Sequence, residues 1–183
     1  MADLLARQTE PALGDDQALD LVGPAAEALH RRDGVEPLQA AVEGGGGVVG
    51  RELVAVVRDL EVDGRPLRHD PSVRERLARL AVDIEAARML GLETAWALDQ
   101  GRVPAAESSM AKIFVSELAQ RVADVGSEIL GLAGQLHPDE PRAPLHGRLQ
   151  WLYRTAPLLA FGGGTNEVQR NIIAMLGYGL PRK

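Results

Sequence analysis

The chain has no cysteine among its 183 residues. That rules out a disulfide framework, a thiolate metal site and a cysteine nucleophile together, and leaves the redox compartment unconstrained by chemistry. Aromatic residues make up only 3% of the chain, and runs in which β-branched residues alternate with polar ones are hard to find. Ala and Leu dominate instead, which suits helix-on-helix packing and predicts an all-α fold. No stretch of about 20 apolar residues is present to span a membrane, and the acid-bearing first ten residues do not read as a signal peptide, so a cytoplasmic location is expected. The formal net charge of -6 argues against a protein that tracks nucleic-acid phosphates, which needs clustered Lys and Arg. The four histidines His30, His69, His137 and His146 are scattered. There is no H-E-x-x-H, no P-loop and no paired Glu-x-x-His, so the sequence offers no metal site.

What is present is a series of helical patterns. Residues 1–35 read as an N-terminal extension, partly helical or disordered, with one short helix expected from Pro24 to Arg32 and a turn at Asp33-Gly34. Residues 36–183 read as a four- to five-helix up-down bundle. Apolar residues from Leu38 to Val57 keep helical period on both sides of Gly44–Gly47. Four glycines within a helix cost about 3–4 kcal/mol against alanine, so they mark either a close packing contact or a break between two helices. Gly45, Gly47 and Gly50 formally satisfy G-x-G-x-x-G, but no strand precedes them, and they are not read as a dinucleotide fingerprint.

After a turn at Asp63–Leu67, Asp70 stands as N-cap with Pro71 at the first helical position. Val73, Leu77, Leu80, Ile84, Ala87, Gly91, Thr94 and Leu98 form a seam, small in its middle, where a partner helix can come close, while Arg74, Glu75, Arg76 and Arg79 fall on a solvated face. A second long helix after Pro104 carries Phe114, Leu118, Val122, Val125, Ile129 and Leu132, and is expected to form an antiparallel hairpin with the first. It ends at Gly131–Gly134, and Gln135–Leu145 reads as a loop without helical character. Leu149, Leu152, Ala156 and Leu159 mark a further core helix.

Then comes Phe161-Gly-Gly-Gly-Thr-Asn-Glu-Val-Gln-Arg-Asn-Ile-Ile-Ala, closing on Leu180-Pro-Arg182. The three glycines permit a tight turn at positive φ, and Thr165 stands where an N-cap hydroxyl belongs. A last helix follows, with Val168, Ile172, Met175 and Leu176 on its buried face and its first peptide N–H groups directed at the turn. That geometry suits an anion or a flavin edge, but by itself it favours an ordinary capped helix.

This run resembles the C-terminal signature of acyl-CoA dehydrogenases. Upstream, Glu107-Ser-Ser-Met-Ala-Lys-Ile-Phe-Val-Ser-Glu-Leu-Ala-Gln-Arg-Val-Ala-Asp, continuing to Glu128-Ile-Leu-Gly131, is similar to the penultimate-helix signature of the same family. The resemblance runs from about Gly44 to Lys183 and covers only the family's C-terminal helical domain. It implies FAD as cofactor, an acyl-CoA thioester as substrate, and α,β-dehydrogenation by a glutamate base and the flavin. It implies that Thr165 and Glu167 meet the flavin, and that Gly131 and Gly134 belong to a turn that contacts the FAD of a neighbouring subunit. A homo-oligomer, or a hetero-oligomer with a dehydrogenase subunit, is therefore expected, with the chain acting as part of a larger assembly; a non-catalytic supporting subunit is the alternative. The chain also departs from the pattern. Gly163 stands where many members carry the base, and the other common base position aligns with Gln39. Glu36 and Glu43 are nearby acids on what reads as a solvated helix face. Glu128 replaces the usual glutamine, and Leu132 the second glycine of the Gly-rich turn.

Overall fold

A computed structural model describes residues 46–62 and 64–181. Within them five α-helices pack together: α1 (Gly46–Asp59), α2 (Pro71–Asp99), α3 (Ala105–Leu130), α4 (Arg148–Leu159) and α5 (Asn166–Ile172). The expected helix at Pro24–Arg32, the turn at Asp33-Gly34 and Gln39 lie outside the described residues. So does the first half of the glycine run. The turn after α1 is a small β-hairpin, Glu61 opposite Pro66 and Val62 opposite Arg65, with Gly64 at positive φ (71°) at its tip. It is the only β structure among the described residues.

Local chemistry explains where the two long helices begin and end. Asp70 accepts hydrogen bonds from the backbone N–H of Ser72 (2.8 Å) and Val73 (3.0 Å), and Pro71 occupies the first turn, as the sequence predicts. Gly101 (φ 70°) turns the chain after α2, and Gly131 (φ 55°) stops α3. The antiparallel register of the α2–α3 hairpin is written in two cross-helix ion pairs, Arg76–Glu128 and Asp83–Arg121. The residue numbers in each pair sum to the same value, as antiparallel neighbours require. By contrast α1 runs parallel to α3, since Gly46 lies against Ala119 and Gly50 lies near Val122. Together with α4, which pairs Arg148 with Glu52 of α1 at 2.6 Å, the order is up-down-up-down.

α3 is the centre. It packs against α1, α2, α4 and α5, and its buried positions cover about half of its circumference: Ser108, Ser109, Ala111, Val115, Ser116, Leu118, Ala119, Val122, Ala123 and Gly126. Small residues dominate because four helices must approach one axis. Where a Cβ is added to Gly126, it meets Leu149 Cδ1 at 2.6 Å; one added to Gly46 meets the backbone of Ala119 at 3.0 Å. The described part of the glycine run therefore serves close packing and lies inside a helix. The core itself is formed by Leu53, Val57, Leu80, Ile84, Leu118, Val122, Leu149 and Leu152.

Four expectations are corrected. Leu132 lies beyond the end of α3 and is 90% exposed, and Leu159 at the end of α4 is also exposed. Leu80, Ile84, Ala87, Gly91 and Thr94 are buried as the seam predicts, yet a Cβ on Gly91 meets nothing within 4 Å, so that glycine is not required by the approach of a neighbour. The segment Gln135–Leu145 is not free of helix: 3-10 turns cover Gly131–Gln135 and Pro144–Gly147. In the second of these Leu145 (φ 55°), His146 (φ 53°) and Gly147 (φ 71°) are left-handed in succession, held by burial of Leu145 and by contact of Gly147 with Pro138.

These packing differences predict opposite outcomes for two similar substitutions. Gly91→Ala fills open space inside a helix and is expected to stabilise by about 0.5–1 kcal/mol. Gly126→Ala drives a methyl into fully buried Leu149 and is expected to cost about 1–3 kcal/mol. Urea unfolding of both variants against the parent checks the pair; equal shifts of the same sign would contradict the geometry.

Candidate functional site

α4 contains Pro157, which supplies no N–H to the ladder, and the helix ends two residues later at Leu159. The carbonyl of Leu158 then accepts from the N–H groups of Phe161 and Gly162 (both 3.1 Å). Gly163 (φ 68°) and Gly164 (φ 93°) reverse the chain into α5. Both adopt conformations that side chains resist, which is why glycines stand there. Thr165 is the N-cap of α5, its hydroxyl oxygen accepting from Val168 N–H at 3.3 Å.

The turn is held from behind by a polar network on α3. The ammonium of Lys112 donates to the carbonyl oxygens of Ala160 (3.0 Å) and Gly164 (2.8 Å) and to Oδ1 of Asn166 (2.7 Å). An ammonium has three N–H groups, and all three are used. Asn166 Nδ2 donates to Ser116 Oγ (3.1 Å), and the Ser116 hydroxyl donates to the Ile113 carbonyl (2.9 Å). Gln169 Nε2 donates to the Gly163 carbonyl at 2.8 Å. Asn166, Gln169 and Ser116 are each buried, so these bonds satisfy groups that water does not reach.

This network corrects two expectations about α5. Its buried face is Asn166, Gln169 and Ile172, whereas Val168 is exposed. Past Ile172 the helix widens into a π-turn, Ile173–Gly177, in which Met175 and Leu176 are only half-buried. Nor do the first N–H groups of α5 form an open anion cradle. Asn166 N–H is bonded to the Ala160 carbonyl at 3.1 Å and Val168 N–H to Thr165.

Charges near the turn are set by the same geometry. The Glu167 carboxyl is held below the ordinary glutamate range by its own backbone N–H and by the Thr165 hydroxyl, and further by Arg170 and Lys112. Burial pulls the Lys112 ammonium below the ordinary lysine range, against the opposing effect of Glu167. The outer side of the turn is open: a Cβ on Gly163 would meet nothing within 4 Å. Around it Leu158, Phe161 and Val168 are exposed. The absence of a side chain at Gly163 leaves room for a flat apolar ligand such as an isoalloxazine to approach the backbone there.

Thr165 and Glu167 are thus brought together, while Gly131 and Gly134 are not with them. They lie past the far end of α3, and the rise along that helix from Lys112 to Gly131 is about 28 Å. Gly131 is open to its surroundings, whereas Gly134 is sealed, its Cβ position lying 3.1 Å from both Leu130 and Leu149. Beside them Glu128 is ion-paired to Arg76, so its charge is balanced where the resemblance implies contact with the FAD of a neighbouring subunit. Gln39, Glu36 and Glu43 lie outside the described residues. Among the described residues no group of three or more His, Asp and Glu side chains is assembled to hold a metal, and no helix is long and apolar enough to cross a membrane. Lys112 escaped the sequence reading, although it lies within the quoted helix motif. A signal existed in principle: a lone lysine on the N-terminal half of a helix whose other inward positions are Ala, Ser and Val.

Comparison with known proteins agrees with this geometry. The model of the acyl-CoA dehydrogenase C-terminal domain matches residues 40–177. Acyl-CoA dehydrogenase FadE26 of Mycobacterium tuberculosis is 41% identical over 114 residues, covering 60% of this chain and 28% of that protein. The crystal structure of the ChsE4-ChsE5 complex from Mycobacterium tuberculosis is similar with a TM-score of 0.68 and 35% identity, over 79% of this chain and 36% of that one. The Tcur3481-Tcur3483 steroid acyl-CoA dehydrogenase is similar with a TM-score of 0.73 and 33% identity, over 86% of this chain and 38% of that one. The chain thus spans about a third of the length of the relatives it matches. By motif, fold and family match, it belongs to the acyl-CoA dehydrogenase family, through that family's C-terminal helical domain.

Proposed function

We propose that this chain is the C-terminal helical component of an acyl-CoA dehydrogenase-type flavoprotein, and that it contributes the Gly162–Thr165 face to a flavin site completed by the rest of an assembly. The observation that carries this reading is the turn itself: a glycine face open on one side, rimmed by exposed apolar side chains and fixed from the other side by Lys112, Asn166 and Gln169. FAD, when bound, supplies the hydride acceptor for α,β-dehydrogenation of an acyl-CoA thioester. Thr165 and Glu167 border the flavin in this reading, and Gly131 at the far end of α3 faces a neighbouring subunit. The relatives solved as two-protein complexes support a hetero-oligomer. The exposed apolar residues Leu158 and Phe161 beside the turn support a covered surface as well.

The proton-abstracting carboxylate comes from outside the glycine turn and its cap. Gly163 offers no side chain, and Glu167 is poorly suited to the task. A base for an acyl-CoA α-proton gains from a raised pKa, and Glu167 is shifted the other way. The lack of a carboxylate at Gly163 also favours a second reading, in which the chain supports a catalytic dehydrogenase subunit without lining its site.

Two measurements follow. Co-expressed with a complementary dehydrogenase chain, the protein is expected to co-elute with bound FAD, and Thr165→Ala is expected to alter the visible flavin spectrum. Co-elution with an unaltered spectrum would favour the supporting-subunit reading, and failure to co-elute with any flavoprotein would remove both. For Glu167, carboxyl NMR titration is expected to give a midpoint below the ordinary value of about 4.3. Thr165→Val should raise it. Because the folded-state pKa is depressed, the ionised carboxylate stabilises the fold above the unfolded-state pKa, and this contribution is lost as pH falls through the folded-state value. A midpoint above the ordinary value would make Glu167 a candidate for the base.

A further inference from the structure

The Lys112 ammonium sits behind the turn with each of its three N–H groups directed to an acceptor, and two of those acceptors are carbonyls of the turn and its approach, Gly164 and Ala160. A carbonyl oxygen that points inward fixes the peptide plane that carries it. With the Gly163 carbonyl taken by Gln169, the peptide planes after Ala160, Gly163 and Gly164 are all anchored. The glycines at 163 and 164 contribute no side chain to resist rotation, so these anchors, together with the Asn166 N–H bond to the Ala160 carbonyl, select one backbone conformation from the many open to glycine. Having no N–H left over, Lys112 cannot also donate to a ligand.

We propose that Lys112 is the positioning residue of the flavin-facing turn: its ammonium locks Gly163–Thr165 in the conformation that presents the glycine face and the Thr165 cap, and it acts through the backbone without touching the ligand. The proposal rests on the flavoprotein reading for its functional consequence, but its structural core stands on the chain alone. A neutral side chain of similar length leaves the Gly164 carbonyl and Asn166 Oδ1 without the charged donor, and the turn then samples other conformers. An arginine is no substitute, because its planar fork does not reproduce three donors converging from one nitrogen.

The test has two stages. In the flavin-free chain, amide hydrogen exchange is measured at Asn166 and Val168, whose N–H groups report the turn and the cap, with Ala87 and Leu152 as core reporters. Lys112→Met is expected to lower protection at Asn166 and Val168 at least tenfold while leaving the core reporters unchanged. Lys112→Ala with added n-butylammonium is expected to recover that protection, and n-butanol is not; this separates the charged donor from mere filling of space. Unchanged protection at Asn166 and Val168 in Lys112→Met, or equal rescue by the alcohol, overturns the proposal. Should Lys112→Met fail to fold, Lys112→Ala with and without the amine decides the same question. In the co-purified flavoprotein assembly, Lys112→Met is expected to weaken FAD binding at least tenfold without loss of subunit association. FAD binding equal to the parent's overturns the positioning role. A parent assembly that binds no FAD overturns the flavoprotein reading instead, and the exchange data then judge the anchoring of the turn by themselves.

Discussion

A helix touched by four others has little solvated face to spare, and that constraint on α3 shapes the rest of the molecule. Its neighbours reach it only because Ala111, Ser116, Ala119, Ala123 and Gly126 keep its surface close to the backbone. Beyond its own Val115, Leu118 and Val122, most large core side chains then come from the helices around it: Leu53 and Val57 from α1, Leu80 and Ile84 from α2, Leu149 and Leu152 from α4. This is an asymmetric division of volume between knob-bearing outer helices and a slender central one, and it leaves no slack near Gly126 and Gly134, where Leu149 fills the space of both missing Cβ atoms.

The same central helix sets the position of the candidate site. Polar side chains on its N-terminal half, Lys112 and Ser116, reach into the turn between α4 and α5 and satisfy its carbonyls and the buried amide of Asn166. A glycine turn is by nature permissive. Here it is tied to the most enclosed element of the fold, so its conformation is inherited from the core. The Arg170–Glu117 ion pair at 2.6 Å adds a further tie between α5 and α3, although at half-exposed side chains such a pair is worth little by itself. Most of the rigidity must come from the buried network, where an unmade bond leaves a desolvated polar group.

Much of this was legible in the sequence because the signals were local or periodic. Asp70-Pro71 starts a helix through chemistry contained in four residues, and the seam from Leu80 to Thr94 keeps its spacing whatever packs against it. The positive φ at Gly131, Gly163 and Gly164 follows from glycine standing after helical runs. What stayed hidden depended on partners distant in sequence. Val168 looks like a core residue and Asn166 like a surface one until Lys112 and Ser116 are placed behind α5, at which point the amide is buried and the valine is left outside. Leu132 and Leu159 fit the period of their helices, but each helix ends too early or too near the edge to bury them. Gly91 and Gly46 are indistinguishable as letters; only the approach of Ala119 gives one of them a packing reason. The left-handed Leu145 carries no sequence signal, and His146 only a weak one, since histidine is enriched in that region but leucine is not.

Two positions near the turn could hold an acid, and the physics separates them. Gly163 faces open space, so a longer side chain has room there, but its φ of 68° makes any side chain pay in backbone strain. Glu167 has no such strain, yet its carboxylate is bound by its own N–H and by the N-cap hydroxyl, and it stands in the field of Arg170 and Lys112. Everything that makes it a good first-turn residue for α5 stabilises its anion and weakens it as a base. The features that fix the turn and those that would make it reactive therefore pull in opposite directions at this acid. A site that needs a basic carboxylate has to bring one from an element not bound into the cap.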